Sequence, residues 1–182
     1  MAAAKAAARR QRENRQNELF WQVERAGQHA VVTRKGATIR TKGAAWNVAM
    51  GNILVDRFSV KIGLPKTKQR NAIAIGFIKE PNFWEVPHAS GAVFVFNYSG
   101  WYMNVRKGSL CSIQGHDDAP FAKPFKHGDV LTVIFDKLAH TISFSQNGDD
   151  LGVAFEYVDP SVHGFFPAVI SYDSNVHVSF VS

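Results

Sequence analysis

A single cysteine, Cys111, is all the thiol chemistry this 182-residue chain has. No intramolecular disulfide can form, and no zinc site can be built from thiolates. That usage fits a reducing compartment. Long apolar runs are missing too. Nothing approaches the roughly 20 residues that cross a bilayer, and the opening Met-Ala-Ala-Ala-Lys lacks the apolar stretch of a secretory signal. The expectation is an intracellular protein, cytoplasmic or nuclear. Acidic residues are scarce at the start: residues 1–15 hold Lys5, Arg9, Arg10, Arg12 and Arg15 against Glu13 alone. The chain has 21 Lys and Arg against 15 Asp and Glu, a net charge of +6, so 16 and 14 remain beyond residue 15. The basicity belongs to a tail, and the rest carries no charge excess that asks for nucleic acid.

Catalytic signatures are absent as well. There is no G-x-S-x-G nucleophile elbow and no G-x-x-x-x-G-K-[ST] or G-x-G-x-x-G phosphate cradle. The histidines at 29, 88, 116, 127, 140, 163 and 177 are scattered, and none forms H-x-x-x-H. His116-Asp117-Asp118 is the nearest approach to a ligand cluster, but adjacent loop residues do not converge on one ion unaided. Cys111 has only Arg106 and Lys107 as basic neighbours in sequence, so a buried, inert thiol is expected. The reading is of a protein with no catalysis, no cofactor and no metal.

What the chain does have is apolar residues at 46%, with 14 phenylalanines. That composition builds a packed core. Residues 1–18 are set apart. They are almost wholly good helix formers with no apolar stripe beyond Ala, so they read as a helical or disordered extension with little to bury. A solvated tail, an Arg-rich nucleic-acid or import segment, a transit peptide and a contact for acidic partners all fit. From Leu19 large apolar residues begin, and 19–182 reads as one domain.

Within it, Gly128–Phe155 is the most regular stretch. Asp129–Asp136 is rich in Val, Ile, Leu and Phe. Thr141–Gln146 alternates, with Ile142 and Phe144 on one side and Thr141, Ser143 and Ser145 on the other, as a strand with one wet face does. Asn147-Gly148 supplies two residues tolerant of positive φ, which a type I′ hairpin needs. Similar strands are expected at His29–Thr33, Thr38–Thr41, Ala44–Met50, Ile53–Gly63, Asn71–Ile78, Gly91–Tyr98, Trp101–Val105, Phe165–Ser171 and Val176–Val181. In Asn71–Ile78 the large Ile73, Ile75 and Phe77 face small Ala72, Ala74 and Gly76, which suggests close approach of another layer. Residues 109–126 read as irregular. About a dozen short strands with turns roughly every ten residues predict an all-β, two-sheet antiparallel sandwich.

The order of Phe58-Ser59-Val60-Lys61-Ile62, Ile75-Gly76-Phe77, Gly128-Asp129-Val130, Phe135-Asp136, Thr141-Ile142-Ser143-Phe144, Asn147-Gly148, Gly152, Phe155 and Phe166-Pro167-Ala168-Val169 resembles the SPRY (B30.2-like) domain family. The match spans residues 20–181. The resemblance implies a bent, concanavalin-like β-sandwich and a protein-interaction module without catalysis, whose end loops hold a peptide or a folded partner. One departure is Arg57-Phe58-Ser59-Val60, where many members begin the strand with Trp-Glu-Val.

Aromatics in loops flanked by Pro, Gly and Asn are the candidate anchors, because Trp, Tyr and Arg dominate binding hot spots. The candidates are Arg70, Asn71, Phe83, Trp84, Tyr98, Trp101, Tyr102, Tyr172 and Asp173. The family topology lets the segment at 70–71, the loop after 78 and the tip at 171–175 share one end. Against this, Trp84 and Trp101 can fold back onto the core, and Trp21 and Trp46 read as core, since Trp is highly buried on average. The function expected is a monomeric adaptor-like module for a protein or peptide partner. A lectin-like glycan binder and an RNA-associated protein using the basic tail are the alternatives.

Overall fold

The computed structural model describes residues 6, 18–26, 30–42, 47–67, 69, 71–79, 100–115, 118–159 and 165–182. The expected strand at 91–98, Trp46 and almost all of the 1–18 extension lie outside them. In chain order the strands are β1 (Trp21–Ala26), β2 (Ala30–Thr33), β3 (Thr38–Thr41), β4 (Asn47–Gly51), β5 (Arg57–Gly63), β6 (Ile73–Ile78) and β7 (Gly100–Asn104). They continue with β8 (Ser109–Ser112), β9 (Ala119–Pro120), β10 (Val130–Asp136), β11 (Thr141–Gln146), β12 (Asp149–Phe155), β13 (Phe166–Ser171) and β14 (His177–Phe180).

Two antiparallel sheets result. The first runs β1-β4-β13-β6-β7-β8-β9 and the second β12-β11-β10-β5-β14-β3-β2. Period-two alternation sends one side of each strand inward. Ile73, Ile75, Phe77, Trp101 and Val169 from the first sheet meet Phe58, Val60, Ile62, Val133, Phe144 and Val178 from the second in one core. Trp21 joins it, stacked on Phe180 at 4.2 Å between ring centroids, with its indole N–H donated to the Val178 carbonyl at 3.0 Å. Phe165 is ringed by Phe77, Trp101 and Phe135.

The central meander is built as its sequence implies. Residues of β10 and β11 pair from Leu131↔Gln146 to Asp136↔Thr141. The two-residue turn has Asn147 at φ 52° and Gly148 at φ 89°, and Asn147 also caps the neighbouring strand by accepting from Val130 N–H at 2.8 Å. On β12 the register shifts twice, and Gly152 sits at φ 88° with its N–H donated to Asp150 Oδ1.

Two features depart from expectation. Residues 109–126 are not wholly irregular, because β8 and β9 extend the first sheet. The Ser-Leu-Cys-Ser of β8 is buried throughout, with Leu110 toward the core and Cys111 on the opposite face, so no wet face exists to produce alternation. The small residues of β6 also have a second explanation. A Cβ on Gly76 would lie 2.0 Å from the Trp101 carbonyl oxygen, so this glycine is required by its partner strand inside the sheet. The outer face of the first sheet is itself apolar and buried, carrying Val48, Met50, Ala74, Tyr102, Cys111, Ala168 and Ile170.

Candidate partner-binding surface

At one end of the sandwich, where β6, β8 and β14 begin and β3, β7 and β13 finish, the connections are tied together by buried polar groups. Asp173, 1% exposed, is the hub. Its Oδ1 accepts the Ala72 N–H at 3.2 Å, and its backbone carbonyl accepts the hydroxyls of Thr41 at 2.7 Å and Ser171 at 2.9 Å. Arg106 Nε stands 3.8 Å from Asp173 Oδ2, an ion pair beyond hydrogen-bond distance, while its guanidinium donates to the Pro65 carbonyl at 3.1 Å. Gln69 clamps Ser174 from both sides, donating to its carbonyl at 2.9 Å and accepting its N–H at 2.7 Å. Asn104 donates to the Asn71 carbonyl at 2.9 Å. Buried polar groups cost free energy unless paired, so such a mesh holds its segments in one arrangement.

Two candidate residues held by this mesh reach the surface with their side chains. Asn71 is exposed, in the left-handed region at φ 58°, which Asn tolerates better than most residues. Tyr172 is half-buried and packs against the apolar outer face of the first sheet. Its N–H is fixed by the Ala72 carbonyl at 2.9 Å. An aromatic ring presented from a fixed backbone loses little freedom on binding.

The other candidates fall differently. Trp101 is 1% exposed and points between the sheets, against Phe165 at 5.1 Å, so it belongs to the core. Tyr102 is fully buried on the opposite face of β7. Asp173 is spent on the chain's own backbone. Arg70, Phe83, Trp84 and Tyr98 lie outside the described residues. Of the single end expected to be shared by 70–71, 171–175 and the loop after 78, the described residues bring Asn71 and 171–175 together, with the Tyr172 N–H on the Ala72 carbonyl. The loop itself lies outside the described residues, and only its anchors are described. Lys79 leaves β6 at the far end, where its ammonium pairs with Asp159 at 2.8 Å, and Gly100 re-enters β7 opposite Ile78 at that same far end.

Sequence reasoning passed over the residues that organise this surface, namely Thr41, Gln69, Asn104 and Arg106, because short-range patterns carry no trace of partners about 30 to 130 positions away. It also passed over Tyr157 and Leu138, 88% and 94% exposed at the far end. The Tyr157 aromatic beside the Asp159-Pro160 break was an available signal. Among the described residues, no group of three His, Cys, Asp or Glu is placed to hold a metal ion. Asp118, the described member of the His116-Asp117-Asp118 cluster, is engaged by Lys107 and Ser109, which hold its carboxyl below the ordinary value. No helix among the described residues is long and apolar enough to cross a membrane.

Comparison with solved structures gives the same architecture. The chain superposes on the SPRY domain of human HERC1 with a TM-score of 0.63 and 23% identity, over 89% of this chain and 97% of that one. It superposes on the neuralized NHR1 domain of Drosophila melanogaster at 0.60 and 16% identity, covering 90% and 98%. The TRIM65 PSpry domain matches at 0.63 and 12% identity, covering 94% of each chain. The model of the SPRY domain family matches residues 56–182, most of the chain and every strand from β5 onward. With sheet order, core and family match in agreement, the chain belongs to the SPRY domain family.

Proposed function

We propose that this chain is a non-catalytic interaction module that holds a peptide segment or folded partner at the end of the sandwich bearing Asn71 and Tyr172. SPRY domains are generally protein–protein interaction modules. The observation that carries the placement is the Asp173-centred mesh, which fixes three connections while leaving Tyr172 half-exposed beside an apolar sheet face. A fixed backbone that presents a half-exposed aromatic is the make-up of a binding hot spot. In this reading Asn71 and Tyr172 touch the partner, joined by Arg70; Phe83, Trp84 and Tyr98, on the segment anchored at the far end, are proposed as further partner contacts. Buried Trp101, Tyr102 and Asp173 shape the surface from beneath. The chain then acts as an adaptor, with specificity set by loop side chains.

Affinity capture with mass spectrometry from the native cell, comparing wild type with Tyr172→Ala and with Asn71→Gly plus Tyr172→Ala, tests this; glycine keeps the positive φ at 71. The expected result is a discrete partner set recovered with wild type and lost with the variants at unchanged melting temperature. Identical recovery by all three sinks the assignment of this end.

A further inference from the structure

The outer face of the second sheet carries a feature that the loop-end reading does not use. Alternation sends Ile39, Val178 and Ile62 into the core, so their strand neighbours project outward. Register then aligns these neighbours in two cross-strand rows. Thr33, Thr38, Ser179 and Lys61 form one, and Arg40, His177 and Gly63 the next. Together with Arg34 and His127 they line a cleft of about 370 Å³.

Every side chain that gives this cleft its polarity can donate. Arg34, Arg40 and Lys61 are cations, no Asp or Glu lines the cleft, and none of the three makes an ion pair among the described residues. Three unneutralised cations about one concavity repel one another, an arrangement relieved by an anion. Beyond residue 15 the chain is nearly charge-balanced, so this clustering is local and not a reflection of overall basicity.

The walls are shaped as well as charged. The Thr38 and Ser179 hydroxyls share a hydrogen bond of 2.8 Å, and the one that accepts keeps its own proton to donate elsewhere. Gly63 stands opposite His177 and leaves its place in the row without a side chain. Arg34 and Lys35 both sit in the left-handed region, at φ 51° and 56°, a costly backbone for two consecutive non-glycine residues. That strained turn brings Arg34 to the rim.

We infer that this cleft binds a phosphate monoester, presented by a phosphorylated serine or threonine of a partner polypeptide. A phosphate monoester carries close to two charges at neutral pH, and guanidinium groups take its oxygens in pairs. The cleft suits one such group with a few flanking atoms. Its lining has no Phe, Tyr or Trp to form a stacking platform for successive bases, which favours a peptide carrier over nucleic acid. The peptide carrier rests on the interaction-module reading; the anion site does not. Tyr172 lies against the first sheet, so the two surfaces are separate.

Amide NMR titration of the full chain tests it. The probes are a degenerate heptapeptide pool with central phosphoserine, its unphosphorylated twin, inorganic phosphate and a short uridine RNA. The phosphopeptide pool should move the resonances of Arg34, Thr38, Arg40, Lys61, His177 and Ser179, and the twin should leave them in place. Arg40→Gln with Lys61→Gln should weaken phosphopeptide binding by about tenfold or more, as loss of charge-assisted contacts does. Tyr172→Ala should leave it unchanged, so that failure of the loop-end site and failure of this one read out separately. No movement with the phosphopeptide overturns the site. Inorganic phosphate binding as tightly as the pool overturns the peptide carrier, and RNA binding more tightly than the pool overturns the ligand class.

Discussion

Two glycines separate what sterics and what backbone conformation each demand. A methyl group on Gly76 would be driven into the Trp101 carbonyl and the Tyr102 Cα, both backbone, with no flexible side chain to move aside. Gly148 has nothing within 4 Å and needs only its positive φ. Urea denaturation should therefore find Gly76→Ala destabilising by about 3 kcal/mol or more, the range of severe overpacking, and Gly148→Ala by about 1 kcal/mol. Asp173 makes a third contrast. Asp173→Ala strips the acceptor from a buried N–H and leaves Arg106 without its carboxylate, so a loss of about 2 to 3 kcal/mol is expected on the same assay. A smaller loss would mean that the mesh relaxes and that the end it organises is softer than its hydrogen bonds suggest.

The β11–β12 hairpin and the start of β10 act as one braced element through Asp129. Burial pushes the Asp129 carboxyl up, but hydrogen bonds from Asn147, from the Lys126 N–H and from Gln146 together outweigh it and hold it below its ordinary value of 3.8. The N–H groups of Ala139 and Leu138 hold Asp136 low in the next turn. A carboxyl whose folded pKa is depressed adds stability above its unfolded value and loses it as pH falls through the folded one. Melting temperature should thus decline as pH drops below about 4. Asp129→Asn should show a shallower acid decline than wild type, and equal slopes would remove Asp129 from the account. This element was also the most legible in the chain, because its information is local: alternation at Ile142 and Phe144, and Asn-Gly at the turn. β8 was illegible because both faces of Ser109–Ser112 are buried, which erases the period of two. At the candidate surface, Tyr172 could be read from its turn-like neighbours. Asp173 could not be told from an exposed acid, because what buries it comes from Thr41, Ala72 and Arg106.

At the scale of the molecule, the family match begins at residue 56, yet four strands precede it among the described residues. β4 lies inside the first sheet between β1 and β13, β3 pairs with β14, and Trp21 is sealed in the core. A fragment of residues 56–182 would expose the β13 and β14 edges and the cavity left by Trp21. It should fail to give a cooperative thermal transition, while residues 18–182 should retain one, as circular dichroism would record. Among the described residues the second sheet also ends at β12, and the chemistry of that edge has a consequence for behaviour in concentrated solution. Asp149 and Asp150 are exposed there, the register slips twice, and Gly152 bends the strand out of the flat ladder a stacking neighbour would need. Charge and irregularity on an edge strand are how sheet proteins discourage growth into fibrils. The irregular half of the chain's most regular hairpin thus serves as its guard against self-assembly.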